Sequence, residues 1–68
     1  MKLRAGVAGA GAMGRNHARV FSLLDDVDLV AIYDRDKSLA ESVAAEFGAV
    51  AVDSLDEFAE AVDAATVA

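Results

Sequence analysis

A chain of 68 residues with no cysteine and one histidine excludes a disulfide-stapled fold and a Cys/His metal centre. Twelve acidic against six basic residues leave a formal net charge of −6. The long-range field of that charge repels nucleic acid and anionic membranes, so neither is expected as a partner. Hydrophobic residues make up 56% of the sequence, more than so short a chain can bury by itself. The chain is therefore expected to be part of something longer. The opening MKLRAGVAGAGAMG sets basic residues before small apolar ones, as a secretory signal does, but its glycines make it a poor apolar segment. No stretch approaches the ~20 apolar residues of a membrane span, and a cytoplasmic location is the expectation.

Residues 3–8, LRAGVA, are short, apolar and followed at once by glycines, which predicts a buried strand. Over residues 12–24 the period changes. Met13, His17, Val20, Phe21 and Leu24 fall on one stripe of an amphipathic helix. Residues 28–33, DLVAIY, form a near-continuous apolar run ending at Asp34, the pattern of a strand covered on both faces. Asp36 is a candidate N-cap for the next helix, with a competing S-x-x-E box at Ser38 and Glu41. Leu39, Val43 and Phe47 carry that helix's stripe, and Gly48 suits a left-handed C-cap. Residues 49–52 predict a third strand. Ser54 and Glu57 open a third helix with Leu55, Phe58 and Val62 on its stripe, and residues 64–68 begin a fourth strand. The order β-α-β-α-β-α-β predicts an α/β, Rossmann-type parallel sheet, truncated after its fourth strand. Right-handed crossovers favour the strand order 3-2-1-4.

The motif with chemistry in it is G-x-G-x-x-G at Gly9, Gly11 and Gly14. The first glycine permits a tight turn out of the strand. The second lets a pyrophosphate approach the backbone, and the third lets the helix pack closely on the sheet. The free amides of Ala12 and Met13, at the positive end of the first helix, are the expected phosphate donors. Alone the motif is weak. Here a strand precedes it, a helix follows, and Asp34 closes the second strand twenty residues after Gly14. A carboxylate there suits the ribose hydroxyls of a dinucleotide and disfavours a 2′-phosphate. NAD is the expected cofactor, with NADP as the second option. Arg35 stands where it could stack on adenine, meet a 2′-phosphate or simply be solvated.

Other polar residues have plainer readings. Arg15 reads as a surface helix charge and His17 as a packed, hydrogen-bonded side chain on the apolar stripe. The acids Asp53, Asp56, Glu57 and Glu60 read as a helix start rather than a metal site, since negative charge is stabilising there. No catalytic residue and no metal ligand are expected in residues 1–68.

The runs GVAGAGAMGRNHARVF, VDLVAIYDRD and AEFGAVAVDSLDEF resemble the N-terminus of the Gfo/Idh/MocA oxidoreductases, named for glucose-fructose oxidoreductase, inositol dehydrogenase and rhizopine catabolism. The resemblance covers essentially the whole chain. Its more specific parts are G-R-x-H-A after the glycine motif, D-R-D closing the second strand and E-F-G before the third. It implies a two-domain NAD(P)-dependent enzyme, commonly a homo-oligomer, that acts by hydride transfer on a sugar, cyclitol or related polyol. Gly9, Gly11, Gly14, Asp34 and Arg35 carry over as cofactor residues. The family's catalytic lysine and histidine have no counterpart here, since Lys2, Lys37 and His17 match neither. The resemblance thus makes residues 1–68 the N-terminal part of a dinucleotide-binding domain, with the catalytic domain elsewhere. Two alternatives stand beside it: a non-catalytic NAD-binding, redox-sensing module, and a Rossmann dehydrogenase or reductase of amino-acid metabolism.

Overall fold

The computed structural model describes residues 2–68. Its elements are β1 (Leu3–Ala8), α1 (Ala12–Ser22), β2 (Val27–Tyr33), α2 (Lys37–Phe47), β3 (Val50–Ala51), α3 (Leu55–Ala61) and β4 (Ala64–Val67). The strands form one parallel sheet in the order β3-β2-β1-β4, the order expected from right-handed crossovers. The helices α1 and α2 cover one face, where Val7, Ala18, Ile32 and Val43 pack together. The opposite face is covered by α3, whose Phe58 meets Ala8 and Ala31.

Local chemistry sets the helix ends. The side chain of Asp36 accepts from the Leu39 amide at 3.2 Å, so Asp36 caps α2 and the competing Ser38 lies within the helix. Gly48 ends α2 at φ 73°, the left-handed conformation that favours glycine. The Ser54 hydroxyl accepts from the Glu57 amide at 3.1 Å and caps α3. The third strand is shorter than residues 49–52, although the Val52 amide still donates to the Ile32 carbonyl at 2.9 Å.

The helices sit differently on the sheet from what their apolar stripes suggest. Gly14 and Ala18 are the buried residues of α1, whereas Met13 is 67% exposed. In α2 the buried residues are Ala40, Val43 and Ala44, and Leu39 is exposed. In α1 the small residues face the strands and the bulky ones flank the contact, whereas in α2 Val43 of the stripe is buried together with Ala40 and Ala44. A Cβ on Gly14 would overlap the Gly9 carbonyl oxygen, which shows how closely α1 approaches the end of β1. Gly6 does the same on the other face: a Cβ there would lie 2.7 Å from the Phe58 ring.

An irregularity in β2 also departs from simple alternation. The pairing with β1 shifts between Ala5 and Gly6, so that Ala5 faces Leu29 but Gly6 faces Ala31. The extra residue, Val30, joins Ala31 on the α3 side, while Leu29 and Ile32 turn toward α1 and α2. The bulge lets a continuous apolar run serve two cores.

Exposed ion pairs link the elements. Arg4 of β1 holds Asp63 before β4 at 3.0 Å, and Arg15 of α1 pairs with Glu46 of α2. Exposure on β1 falls on Leu3 and Arg4, whereas on β4 most residues are exposed, Val67 among them. Among the described residues no helix is long and apolar enough to cross a membrane.

Close approach at Gly14 makes a sharp expectation. Alanine is normally favoured over glycine within a helix by about 0.5–1 kcal/mol. Gly14→Ala should instead lower stability by about 1–3 kcal/mol, because the helix must lift off the strand. Gly48→Ala, where space is open and only the left-handed backbone resists, should cost about 1–2 kcal/mol. Urea denaturation of the two variants checks both values. Stabilisation by Gly14→Ala would contradict the packing described.

Candidate functional site

In an open parallel sheet, ligands gather at the carboxyl ends of the strands, where the order of connections reverses. Here that point lies between β1 and β4, because β1 leads to β2 on one side and β3 returns across the sheet to β4 on the other. The glycine loop after β1 occupies this position. Gly9 has φ 102°, and a Cβ on it would come within 2.6 Å of the Ala68 carbonyl oxygen. Conformation and space both require glycine there.

Gly11 is the N-cap of α1 and provides no side-chain cap. The first intrahelical bond runs from the Arg15 amide to the Gly11 carbonyl at 2.8 Å. The amides of Ala12, Met13 and Gly14 therefore precede the hydrogen-bonded ladder and are available to an anion. No acidic residue lies in this first turn to compete. A Cβ at Gly11 would meet nothing within 4 Å. Its space is open and adjoins the free amides, a cradle that a side chain would fill.

Asp34 completes the arrangement. Its Oδ2 accepts from the Ala10 amide at 2.7 Å and its Oδ1 accepts from the Asp36 amide at 2.8 Å. The donation from Ala10, followed by that from Asp36, holds the carboxyl below its ordinary pKa. The charged carboxylate thus bridges the loop after β1 and the loop after β2. Each oxygen retains a further lone pair for a ligand hydroxyl. A cleft of about 390 Å³ lies alongside, lined by residues that include Gly9, Tyr33, Asp34, Arg35, Leu55 and Val67. Small-molecule sites commonly occupy about 300–1,000 Å³.

The structure thus brings Gly9, Gly11, Ala12, Met13, Gly14, Asp34 and Arg35 to one end of the sheet. Three participants were not singled out from the sequence. Ala10, 1% exposed, supplies the amide that anchors Asp34. Tyr33 and Leu55 wall the cleft. Ala10 was legible in principle as the small residue inside the G-x-G turn.

His17 stands apart. It is half-buried in a separate groove with Asn16, Val20, Phe21 and Thr66. Among the described residues it has no hydrogen-bond partner, unlike the bonded side chain expected, although Asn16 and Thr66 line the same groove. The Thr66 hydroxyl in this groove also lacks a partner among the described residues. Arg15 pairs with Glu46, its Nε donating to Oε1 at 2.8 Å, and so behaves as a surface charge. Asp53 pairs with Lys37, while Asp56 and Glu57 occupy the first turn of α3. Among the described residues no group of three or more acidic or histidine side chains could hold a metal ion.

A parallel β-α-β sheet with a glycine loop, free helix amides and an acid closing the second strand defines a dinucleotide-binding domain. The chain belongs to the Gfo/Idh/MocA oxidoreductase family with an NAD-binding Rossmann fold, whose family model matches residues 3–68. It is 35% identical over 63 residues to glucose-6-phosphate 3-dehydrogenase of Bacillus subtilis, covering 93% of this chain and 18% of that protein. It is 46% identical over 46 residues to inositol 2-dehydrogenase of Acidothermus cellulolyticus, covering 66% of this chain and 14% of that protein. Among solved structures, GenD2 from gentamicin A biosynthesis in complex with NAD superposes with a TM-score of 0.93 at 36% identity, covering 98% of this chain and 20% of that one. The myo-inositol dehydrogenase of Lactobacillus casei, in complex with NAD(H) and myo-inositol, superposes with a TM-score of 0.89 at 30% identity, covering 100% of this chain and 22% of that one. The chain spans about a fifth or less of the length of these relatives.

The bridging carboxylate carries a pH dependence. Because its folded pKa is depressed, Asp34 contributes stability that is fully present above the unfolded aspartate value of about 3.9 and lost as pH falls through the lower folded value. Carbon-detected NMR titration should give Asp34 a midpoint below that reference. Asp34→Asn should flatten the stability curve below about pH 4. An ordinary or raised midpoint would show that the bridge does not form.

Proposed function

We propose that this chain holds the dinucleotide in an NAD-dependent dehydrogenase acting on a sugar, cyclitol or related polyol. The observation that carries this reading is the Asp34 bridge: one carboxylate, fixed by two backbone donors, beside an open phosphate cradle and a cleft. The residues present fit the cofactor. Ala12, Met13 and Gly14 would hold its phosphates through backbone amides, Asp34 would take the ribose hydroxyls, and Arg35 would line the adenosine side. Bound NAD supplies the acceptor for a hydride from the carbon of a secondary alcohol, whose hydroxyl loses a proton as the ketone forms.

In this reading the chain's own residues bind and orient, and the proton-transfer group lies outside residues 1–68. The relatives' greater length and their names as sugar and inositol dehydrogenases support that division. His17 is not assigned to proton transfer, since it lines a different groove from Asp34. Residues 1–68 are accordingly proposed as the N-terminal part of a cofactor domain, in a cytoplasmic homo-oligomer when the protein is intact.

Cofactor preference follows from charge. A 2′-phosphate beside the Asp34 carboxylate is opposed by about 1 kcal/mol or more at an effective dielectric near 20, or about fivefold in affinity. Titration of the protein carrying this chain should give tighter binding of NAD than of NADP, and Asp34→Ser should move the ratio toward NADP. Equal or tighter NADP binding by the natural sequence would contradict the assignment.

The cradle gives a second expectation. Gly11→Val places a branched side chain in the open space by the free amides and should remove dinucleotide binding. Because that space is unobstructed within the fold, circular dichroism should show helix content largely retained. Retained binding in a folded variant would mean the loop is only a turn.

A further inference from the structure

A second cleft of about 330 Å³ adjoins the first and shares Tyr33, Asp34 and Arg35 with it. Its remaining walls are Lys37, Val52 and Asp53. Lys37 opens α2, and Asp53 lies in the loop between β3 and α3. The Lys37 Nζ and the Asp53 Oδ1 stand 3.0 Å apart across this cleft. Two cations and two carboxylates therefore line this cleft, and they are not equivalent. The Asp34 carboxylate is committed to the backbone amides of Ala10 and Asp36. Arg35 has no side-chain partner among the described residues, so the charge that Asp53 balances is that of Lys37.

We propose that Asp53 is a second determinant of cofactor choice, a positioning residue that holds and neutralises Lys37 beside the Asp34 and Arg35 side chains. This rests on the dinucleotide reading above and extends it from one carboxylate to two. Phosphate dianions are recognised by paired cations, of which Lys is a mobile point charge and Arg a planar fork. Arg35 and Lys37 together would make such a pair in this cleft. Asp34 opposes a 2′-phosphate directly, and Asp53 opposes it by engaging one of the two cations that could receive it. Lys37 also lies near Glu41 and Glu57, which act on its charge in the same sense as Asp53 but more weakly. Asp53 makes the direct contact, so its removal is the change that frees Lys37.

The pair is exposed, with side-chain accessibilities of 66% for Lys37 and 61% for Asp53. Exposed pairs contribute little to folding, so its removal leaves the fold intact and the electrostatic effect readable. The same exposure makes that effect sensitive to salt.

Direct titration of NAD, NADP, adenosine 5′-monophosphate and adenosine 2′,5′-bisphosphate against the protein carrying this chain tests the proposal. Asp53→Asn should shift the ratio of dissociation constants toward NADP by about three- to tenfold, the size of one charge contact in a partly solvated cleft. The bisphosphate should gain on the monophosphate in parallel, and the shift should shrink in high salt. Lys37→Gln should move the ratio the other way, toward NAD. In the double variant, Asp53→Asn should gain nothing, because no ammonium remains to be released. Equal changes in the NAD and NADP constants would show that the pair only tethers the loop, and would overturn the proposal. An unchanged ratio would overturn it as well. Failure of the natural protein to bind either dinucleotide is a different outcome, which would overturn the dinucleotide reading itself.

Discussion

The carboxylate of Asp34 ties the loop after β1 to the loop after β2. The loop after β1 must turn sharply through Gly9 and leave the amides at the start of α1 unpaired. Backbone pairing holds its first residue, where the Gly9 amide donates to the Tyr33 carbonyl at 2.7 Å. The bond from the Ala10 amide to Asp34 Oδ2 fixes it against the end of β2, and the bond from the Asp36 amide to Oδ1 fixes the carboxylate in turn. The register of β1 with β2 sets where this can happen, since Ala8 lies opposite Tyr33 and the next residues are Gly9 and Asp34. One side chain therefore stabilises the glycine loop and presents negative charge beside the cleft. Preorganisation of this kind lowers the ordering penalty that a ligand would otherwise meet.

Close packing is the second constraint on the same loop. A helix can direct its amides at a ligand near the strand ends only if it lies close against them. Gly14 over the Gly9 carbonyl and Ala18 over the sheet permit that approach, and larger side chains would prevent it. The consequence is a helix whose bulky apolar residues flank the contact. Met13 and Val20 remain exposed for this reason, and Phe21 reaches the core only partly.

A net charge of −6 is compatible with a ligand that carries phosphates because the decisive fields are local. Helix-end dipoles act over the first turn only, and no acidic residue lies in the first turn of α1. The acids gather elsewhere: in the first turn of α3, in ion pairs with Arg4, Arg15 and Lys37, and at Asp34 itself. The distribution of charge decides which part of a ligand is attracted and which is opposed.

The sequence by itself determined the order of elements, the parallel sheet, the helix caps at Gly48 and Ser54, and the glycine loop with its acid at the end of β2. Each of these depends on local propensities or on a spacing of a few tens of residues, which a single chain displays directly. The tertiary structure alone decided which face α1 buries, because its stripe of large residues is outranked by the closeness that Gly14 and Ala18 allow. It also decided the bulge at Val30, since pairing between strands leaves no mark in the alternation of an all-apolar run. Ala10 as the anchor of Asp34 and Lys37 as the partner of Asp53 belong to the same class. Those contacts join residues from different loops, and their distances are set by the sheet that carries them.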